Sequence, residues 1–163
     1  MNKAVVLSDH VKEEIERWKA RFPEGRQRSA IISALHAVQR ENDGYLPVEQ
    51  MNAVAEYLHL PTIQVYEIAT FYAMFQTQPV GRHNVAICTN ISCMLRGADD
   101  IVRHVESRLG IETGESTADG RIYLKCEEEC LAACCGAPMM MVDHKYHENL
   151  TTEQVDAILD GLD

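Results

Sequence analysis

The residues best suited to chemistry here are six cysteines, and their spacing separates them into two groups. Cys88 and Cys93 enclose Thr89-Asn90-Ile91-Ser92, and the other four fall within CEEECLAACC, from Cys126 to Cys135. Two thiolates on one loop can turn toward a single metal atom. A second pair would then complete two tetrahedral irons bridged by two sulfides. Adjacent Cys134 and Cys135 point apart and make a poor pair. Cys126/Cys130 and Cys130/Cys134 share one spacing, but the first pair encloses Glu127-Glu128-Glu129, and burying carboxylates beside an anionic centre is costly. The second encloses only Leu131-Ala132-Ala133. Cys88, Cys93, Cys130 and Cys134 are therefore the preferred set, with Cys126 in place of Cys134 as the open alternative.

The same thiolates admit other uses. Four cysteines could hold a structural zinc, although no C-x2-C knuckle occurs. They could form disulfides, which a cytosolic setting disfavours, or act as small buried hydrophobes. His144-Lys145-Tyr146-His147 lacks the partner motif of a Rieske site, and no CxxC supports thioredoxin-type dithiol exchange. Neither G-x-G-x-x-G nor a P-loop is present. No acid/base pair for substrate chemistry stands out, and Glu127 to Glu129 read first as a solvated run.

Charge and hydropathy narrow the classes further. Net charge is -10, with 8 basic and 10 acidic side chains in residues 1–79 against 7 and 15 in residues 80–163. That sign argues against a nucleic-acid partner. No run is long enough for a membrane span, and the opening MNKAVVLSDH carries no recognisable export or organellar signal, so the expectation is a cytoplasmic protein without direct membrane insertion.

Two kinds of element must position these thiols. Residues 1–79 read as helices. Val11, Ile15 and Trp18 form one stripe, with Ser8 or Asp9 as cap and Pro23 beyond the end. Ile31, Leu35 and Val38 form a second, which places His36 beside the stripe and not as a ligand, and Asn42-Asp43-Gly44 breaks it. A third helix is expected from Pro47, in the favoured first position, with Met51, Val54, Ala55 and Leu58 inward. A fourth, over 62–72, brings Phe71, Tyr72 and then Phe75 into helix packing.

From residue 80 the pattern alternates. A strand over 83–87 leads directly into Cys88, and a helix over 96–109, with Ile101, Val102, Val105 and Leu109 inward, ends at Gly110. Strands are expected over 121–124 and 138–142, with a short edge over 148–150. A last helix is capped by Thr151, with Glu153 nearby. The expected fold is α+β: an N-terminal helical bundle over 1–79, followed by a thioredoxin-like domain over 80–163.

Three stretches in this order carry a family resemblance: Ile68-Ala-Thr-Phe-Tyr72 ahead of Pro79-Val-Gly-Arg82, Cys88-Thr-Asn-Ile-Ser-Cys93 with Met-Leu-Arg-Gly after it, and Cys130-Leu-Ala-Ala-Cys134 with Cys-Gly-Ala-Pro138 after it. Over about residues 27–155 the chain resembles the 24 kDa-type family, the E subunits of NADH:quinone oxidoreductase (respiratory complex I). That family has relatives in NAD-linked hydrogenases and formate dehydrogenases. The resemblance implies a thioredoxin-like [2Fe-2S] ferredoxin domain, one iron held by Cys88 and Cys93, and the other by Cys130 and Cys134. Cys126 and Cys135 match no ligand position. It implies an electron-transfer subunit of an NADH dehydrogenase, helical at its N-terminal docking region, that exchanges single electrons with FMN. FMN and NADH would sit on a partner subunit, among further peripheral-arm subunits at the cytoplasmic face of the inner membrane. A diaphorase subunit of a hydrogenase or formate dehydrogenase is the alternative within the family. A zinc-stabilised adaptor is the alternative outside it.

Overall fold

Ser8 opens the first helix by accepting a hydrogen bond from the Val11 amide at 3.1 Å. Helix α1 (Asp9–Lys19) buries Val11 and Ile15, while Trp18 lies half-covered under the Arg21 guanidinium. A short 3-10 turn, Gln27–Ala30, leads into α2 (Ile31–Glu41), which buries Ile31, Ala34, Leu35, Ala37 and Val38. Pro47 is the cap of α3 (Val48–Tyr57) and not its first helical residue, a shift of one position from the expectation. Helix α4 (Thr62–Phe71) closes the set. The computed structural model describes residues 6–125 and 130–163, so the expectations for Cys126 and Glu127 to Glu129 lie outside the described residues. The chain divides into two units, Met1–Pro79 and Val80–Asp163.

The aromatic end of α4 departs from the expected packing. Phe75 is buried against the His36 ring at 4.9 Å between centroids. Phe71 is 78% exposed and Tyr72 38% exposed. The helix stops at Phe71, and Tyr72 turns extended (φ -90°, ψ 120°), which carries both rings off the buried stripe. Their rings meet edge to face at 5.0 Å instead. Gln39 anchors the segment that follows, donating to the Met74 carbonyl and accepting from the Gln76 amide.

The second unit is built on four short strands: β1 (His83–Ile87), β2 (Ile122–Leu124), β3 (Met140–Val142) and β4 (Lys145–His147), in the order β2-β1-β3-β4. Strands β1 and β2 are parallel, so the chain must cross over between them. It does so through α5 (Ile91–Met94) and α6 (Ala98–Leu109). The other two pairings are antiparallel. Helix α6 starts two residues later than expected, because Gly97 takes a left-handed conformation (φ 89°). The edge strand lies at 145–147 and not at 148–150. Asp143 and His144 both have positive φ, the geometry of a tight two-residue hairpin that pairs Lys145 with Val142. Helix α7 (Thr152–Asp160) begins with a capping box in which the reciprocal partner of Thr151 is Gln154, at the third helical position, rather than Glu153. Val85, Ile87, Ile101, Val105, Ile122, Leu124 and Leu159 form the core between sheet and helices.

The first residues of β1 and those just before it are held tightly. At its start, an added Cβ on Gly81 would sit 2.5 Å from the Ile122 backbone carbon, so this position tolerates no side chain. His83 Nδ1 lies 2.6 Å from Asp143 Oδ2, and His83 Nε2 lies 2.9 Å from the Asp163 carbonyl, which Arg82 also approaches. Its pKa is raised, chiefly by the Asp143 hydrogen bond against an opposing effect of burial.

Two outcomes are expected. Gly81→Ala forces the β1 and β2 backbones apart and should cost about 1–3 kcal/mol of stability, read as a lower urea midpoint; an unchanged midpoint would contradict the contact. The raised His83 pKa means the folded state binds its proton more tightly than the unfolded chain. Its contribution is full below the unfolded histidine value of about 6.5 and is lost as pH rises through the folded value. The stability difference between the wild-type chain and His83→Gln should therefore shrink from pH 6 to pH 9, modestly, because Asp143 and Asp163 face solvent.

Candidate metal centre

The thiols lie where β1 ends and where the chain returns toward β3. Cys88 follows β1 directly, and its amide donates to the Met139 carbonyl at 3.1 Å, just ahead of β3. Asn90 then caps α5 by accepting from the Ile91 amide with its side chain, which turns Cys93 back toward Cys88. Cys88 and Cys93 are 2% and 1% exposed and share an apolar cluster with Ala98, Leu131, Ala137 and Met139. Cys130 and Cys134 are exposed. Between them Leu131 turns into that cluster while Ala132 adopts a positive φ of 60°, a tight reversal that only small residues accept cheaply.

The sulfur separations suit metal binding. Cys130 Sγ and Cys134 Sγ are 3.9 Å apart, against roughly 3.8 Å for two sulfurs bound tetrahedrally to one metal at ~2.3 Å. Cys88 interacts through its sulfur with both Cys93 and Cys130, so the loop pair and the return pair meet in one site. All five described cysteines are free thiols. No group of three or more His, Cys, Asp or Glu among the described residues is placed to hold a single ion; a centre of two irons asks only for one pair at each.

Backbone N–H groups converge on these sulfurs. The Ala132 amide donates to Cys130 Sγ at 3.3 Å. Amides of Asn90 and Leu131 serve Cys88, and that of Met139 serves Cys93. Burial alone would raise the Cys88 thiol, but its two amide donors and its thiol neighbours outweigh burial and bring it below its ordinary value. Cys93 moves the other way, as burial and the adjacent Cys88 push it up to about 11. For Cys130 the Ala132 amide favours the thiolate, yet the hydrogen bond with Cys134, then desolvation and the charges of Cys134 and Cys88, raise it overall. Burial is the largest effect at Cys88 and Cys93, neighbouring thiols add to the rise at Cys93 and Cys130, and positive charge among the sulfurs would favour their thiolate forms. That is the electrostatic condition of a metal-thiolate centre. Soft sulfur donors in pairs fit an iron-sulfur cluster.

All four cysteines singled out in the sequence thus occupy one neighbourhood. Cys135 is exposed. Sequence reading missed the amide donors and Arg96. The side chain of Arg96 donates from Nη1 to the Ala137 carbonyl at 3.2 Å and so ties the α5 loop to the return segment. Its presence in the Met-Leu-Arg-Gly stretch after Cys93 was the available signal.

Comparison with known proteins gives the family of the chain. The pattern of the thioredoxin-like [2Fe-2S] ferredoxin family matches residues 15–163. The second E subunit of NADH-quinone oxidoreductase from Rhizobium meliloti (strain 1021) is 45% identical over 152 residues, covering 93% of this chain and 88% of that protein. The E subunit from Rickettsia bellii (strain RML369-C) is 45% identical over 140 residues, covering 86% and 83%. The mitochondrial NADH dehydrogenase [ubiquinone] flavoprotein 2 of Dictyostelium discoideum is 37% identical and is covered over 60% of its length. Among solved structures, an NAD+-reducing [NiFe]-hydrogenase in the air-oxidised state superposes with a TM-score of 0.66 at 21% identity, over 77% of this chain and 22% of that one, a likeness of fold. A helical unit, a thioredoxin-like unit with its cysteine pairs in one place, and this degree of identity lead to one conclusion: the chain belongs to the thioredoxin-like [2Fe-2S] ferredoxin family and is a relative of the E subunits of NADH-quinone oxidoreductase.

Proposed function

We propose that this chain is the iron-sulfur electron-transfer subunit of an NADH:quinone oxidoreductase, with Cys88 and Cys93 holding one iron of a [2Fe-2S] cluster and Cys130 and Cys134 the other. The observation that carries this reading is the meeting of the buried Cys88/Cys93 pair with the exposed Cys130/Cys134 pair, the latter 3.9 Å apart, under four backbone amide donors. When bound, the cluster supplies reversible one-electron transfer. The chain's own residues do the rest. The four thiolates hold the irons, and the amides of Asn90, Leu131, Ala132 and Met139 hydrogen-bond to sulfur, which favours added negative charge there. Leu131, Ala98, Ala137 and Met139 keep water from the inner pair. The outer pair stays at the surface, where an electron partner can come close.

Hydride chemistry is assigned to a partner subunit carrying FMN and NADH. No helix among the described residues is long and apolar enough to cross a membrane, and attachment at the cytoplasmic face of the inner membrane would run through that partner and other peripheral-arm subunits. The helical unit, with Phe71, Tyr72, Met74 and Ile63 exposed, offers an apolar surface for docking. The names and the higher identities of the E-type relatives favour this assembly over a diaphorase of a hydrogenase or formate dehydrogenase.

The purified chain is expected to be brown, with two irons and two acid-labile sulfides per chain and visible absorption that bleaches with dithionite. Serine at Cys88, Cys93, Cys130 or Cys134 should each lower iron content sharply, whereas Cys126→Ser and Cys135→Ser should leave it near wild type. A colourless protein with stoichiometric zinc would refute the cluster. Loss of iron in Cys126→Ser with Cys134→Ser unaffected would refute the ligand assignment. Native mass spectrometry of the copurified complex, counting flavin and iron together, tests the assembly.

A further inference from the structure

Four successive backbone carbonyls, Gly136 to Met139, lie beyond the last proposed ligand, and their donors come from three parts of the second unit. The Gly136 carbonyl accepts from the Asn149 amide at 2.7 Å, Pro138 from the Leu150 amide at 3.0 Å, and Met139 from the Cys88 amide at 3.1 Å. The Ala137 carbonyl accepts from Arg96 Nη1 at 3.2 Å. Arg96 supplies the side-chain donor of this set. Its own amide donates to the Cys93 carbonyl at 3.0 Å, so Arg96 is anchored to one thiol loop at its backbone and to the other at its guanidinium. The carbonyl it reaches belongs to a buried residue, and the bond is partly buried.

We infer that Arg96 is a positioning residue for the metal centre, fixing the return segment 134–139 against the Cys88–Cys93 loop and lending a positive charge to the site through that contact. This rests on the function proposed above, and deepens it by naming what holds the two thiol pairs in register. Among the described residues no hydrogen bond joins Arg96 to a cysteine sulfur; it acts through Ala137, three residues from Cys134. Without its donor, the Ala137 carbonyl would be left without its partner in a largely apolar setting, and the return segment would be held by hydrogen bonds of backbone amides alone. The charge acts in a second, separable way. A cation beside a centre that gains an electron favours the reduced form.

The test uses the full-length chain with Arg96→Met, Arg96→Lys and, as a control for plain loss of charge, Arg103→Met, whose arginine pairs with Asp100 on the exposed face of α6. Arg96→Met should release iron to bathophenanthroline disulfonate about tenfold faster, the lower end of the effect of removing groups that support metal ligands, and should show a more negative midpoint potential by spectroelectrochemistry. Arg96→Lys, which keeps the charge, should hold a potential close to wild type with an intermediate release rate. Arg103→Met should change neither. Wild-type release from Arg96→Met, or an unshifted potential in it, overturns the inference. If Arg96→Met fails to assemble a centre, Arg96→Lys decides: release at the wild-type rate overturns it. A wild-type chain without iron would refute the proposed function instead. The positioning role is then read by amide hydrogen exchange at Cys88, Asn149 and Leu150, whose N–H groups bond the same segment; faster exchange in Arg96→Met supports it, and unchanged exchange overturns it.

Discussion

Everything at the thiol site depends on where the carbonyls of Gly136 to Met139 find their donors. A return loop that carries two exposed cysteines must be ordered around the few side chains it buries, Leu131, Ala137 and Met139, and ordering it costs conformational entropy of about 1–2 kcal/mol per residue. Hydrogen bonds from the end of β1, from the start of the α7 segment and from the loop after Cys93 offset that cost at three separate points. Each of these anchors is itself part of the sheet-and-helix framework. Cys88 continues a strand paired on both sides, and Leu150 is packed in the main core. The site therefore inherits the rigidity of a core it does not belong to. Gly136 shows how close the fit is: an added Cβ would lie 2.6 Å from Glu148 Cβ, so a larger residue would force the two segments apart next to the anchor at Asn149.

Electrostatics then sets what the site can hold. The second unit is strongly acidic, and its thiols gather in a partly apolar setting. In such a place burial, and after it the neighbouring Cys88, pushes the Cys93 thiol up, while amide donors and thiol neighbours bring Cys88 down against burial. Amide donors relieve part of this repulsion, because they bring partial positive charge without a solvation shell that must be stripped away. The remainder requires cations. A zinc ion would ask four sulfurs to converge on one point, whereas an inner pair and an outer pair suit two metal atoms side by side.

Much of this was legible in the chain because the relevant signals are local. The helical stripes of Val11 and Ile15 and of Ile31, Leu35 and Val38, the run His83 to Ile87, and Gly110 at the end of α6 each depend on a few neighbouring side chains. The errors also have local causes. A two-residue turn at Asp143-His144 left room for a strand three residues earlier than the apolar Leu150 suggested, and a left-handed Gly97 delayed α6. Phe71 and Tyr72 were bulky enough to suggest packing, but burial is decided by where a helix stops, which composition does not encode. The least legible features were backbone ones. Amide donors carry no side-chain signature, so Asn90, Leu131, Ala132 and Met139 could not be distinguished from their neighbours, while the cysteines they serve stood out by type and spacing.

The unequal exposure of the two pairs follows from this division of labour between strand and loop. Cys88 and Cys93 are buried because the strand that carries Cys88 must enter the core and the helix that follows must turn back over it. Cys130 and Cys134 sit on a reversal whose direction is set by Ala132, with Leu131 as the one side chain in that stretch long enough to plug the cluster from above. A loop of larger residues there would cover the outer sulfurs or displace Leu131, and either change would trade shielding of the inner pair against access to the outer one. Three small steps, Leu-Ala-Ala, satisfy both demands: one side chain to exclude water on the inside, and none large enough to obstruct approach from outside.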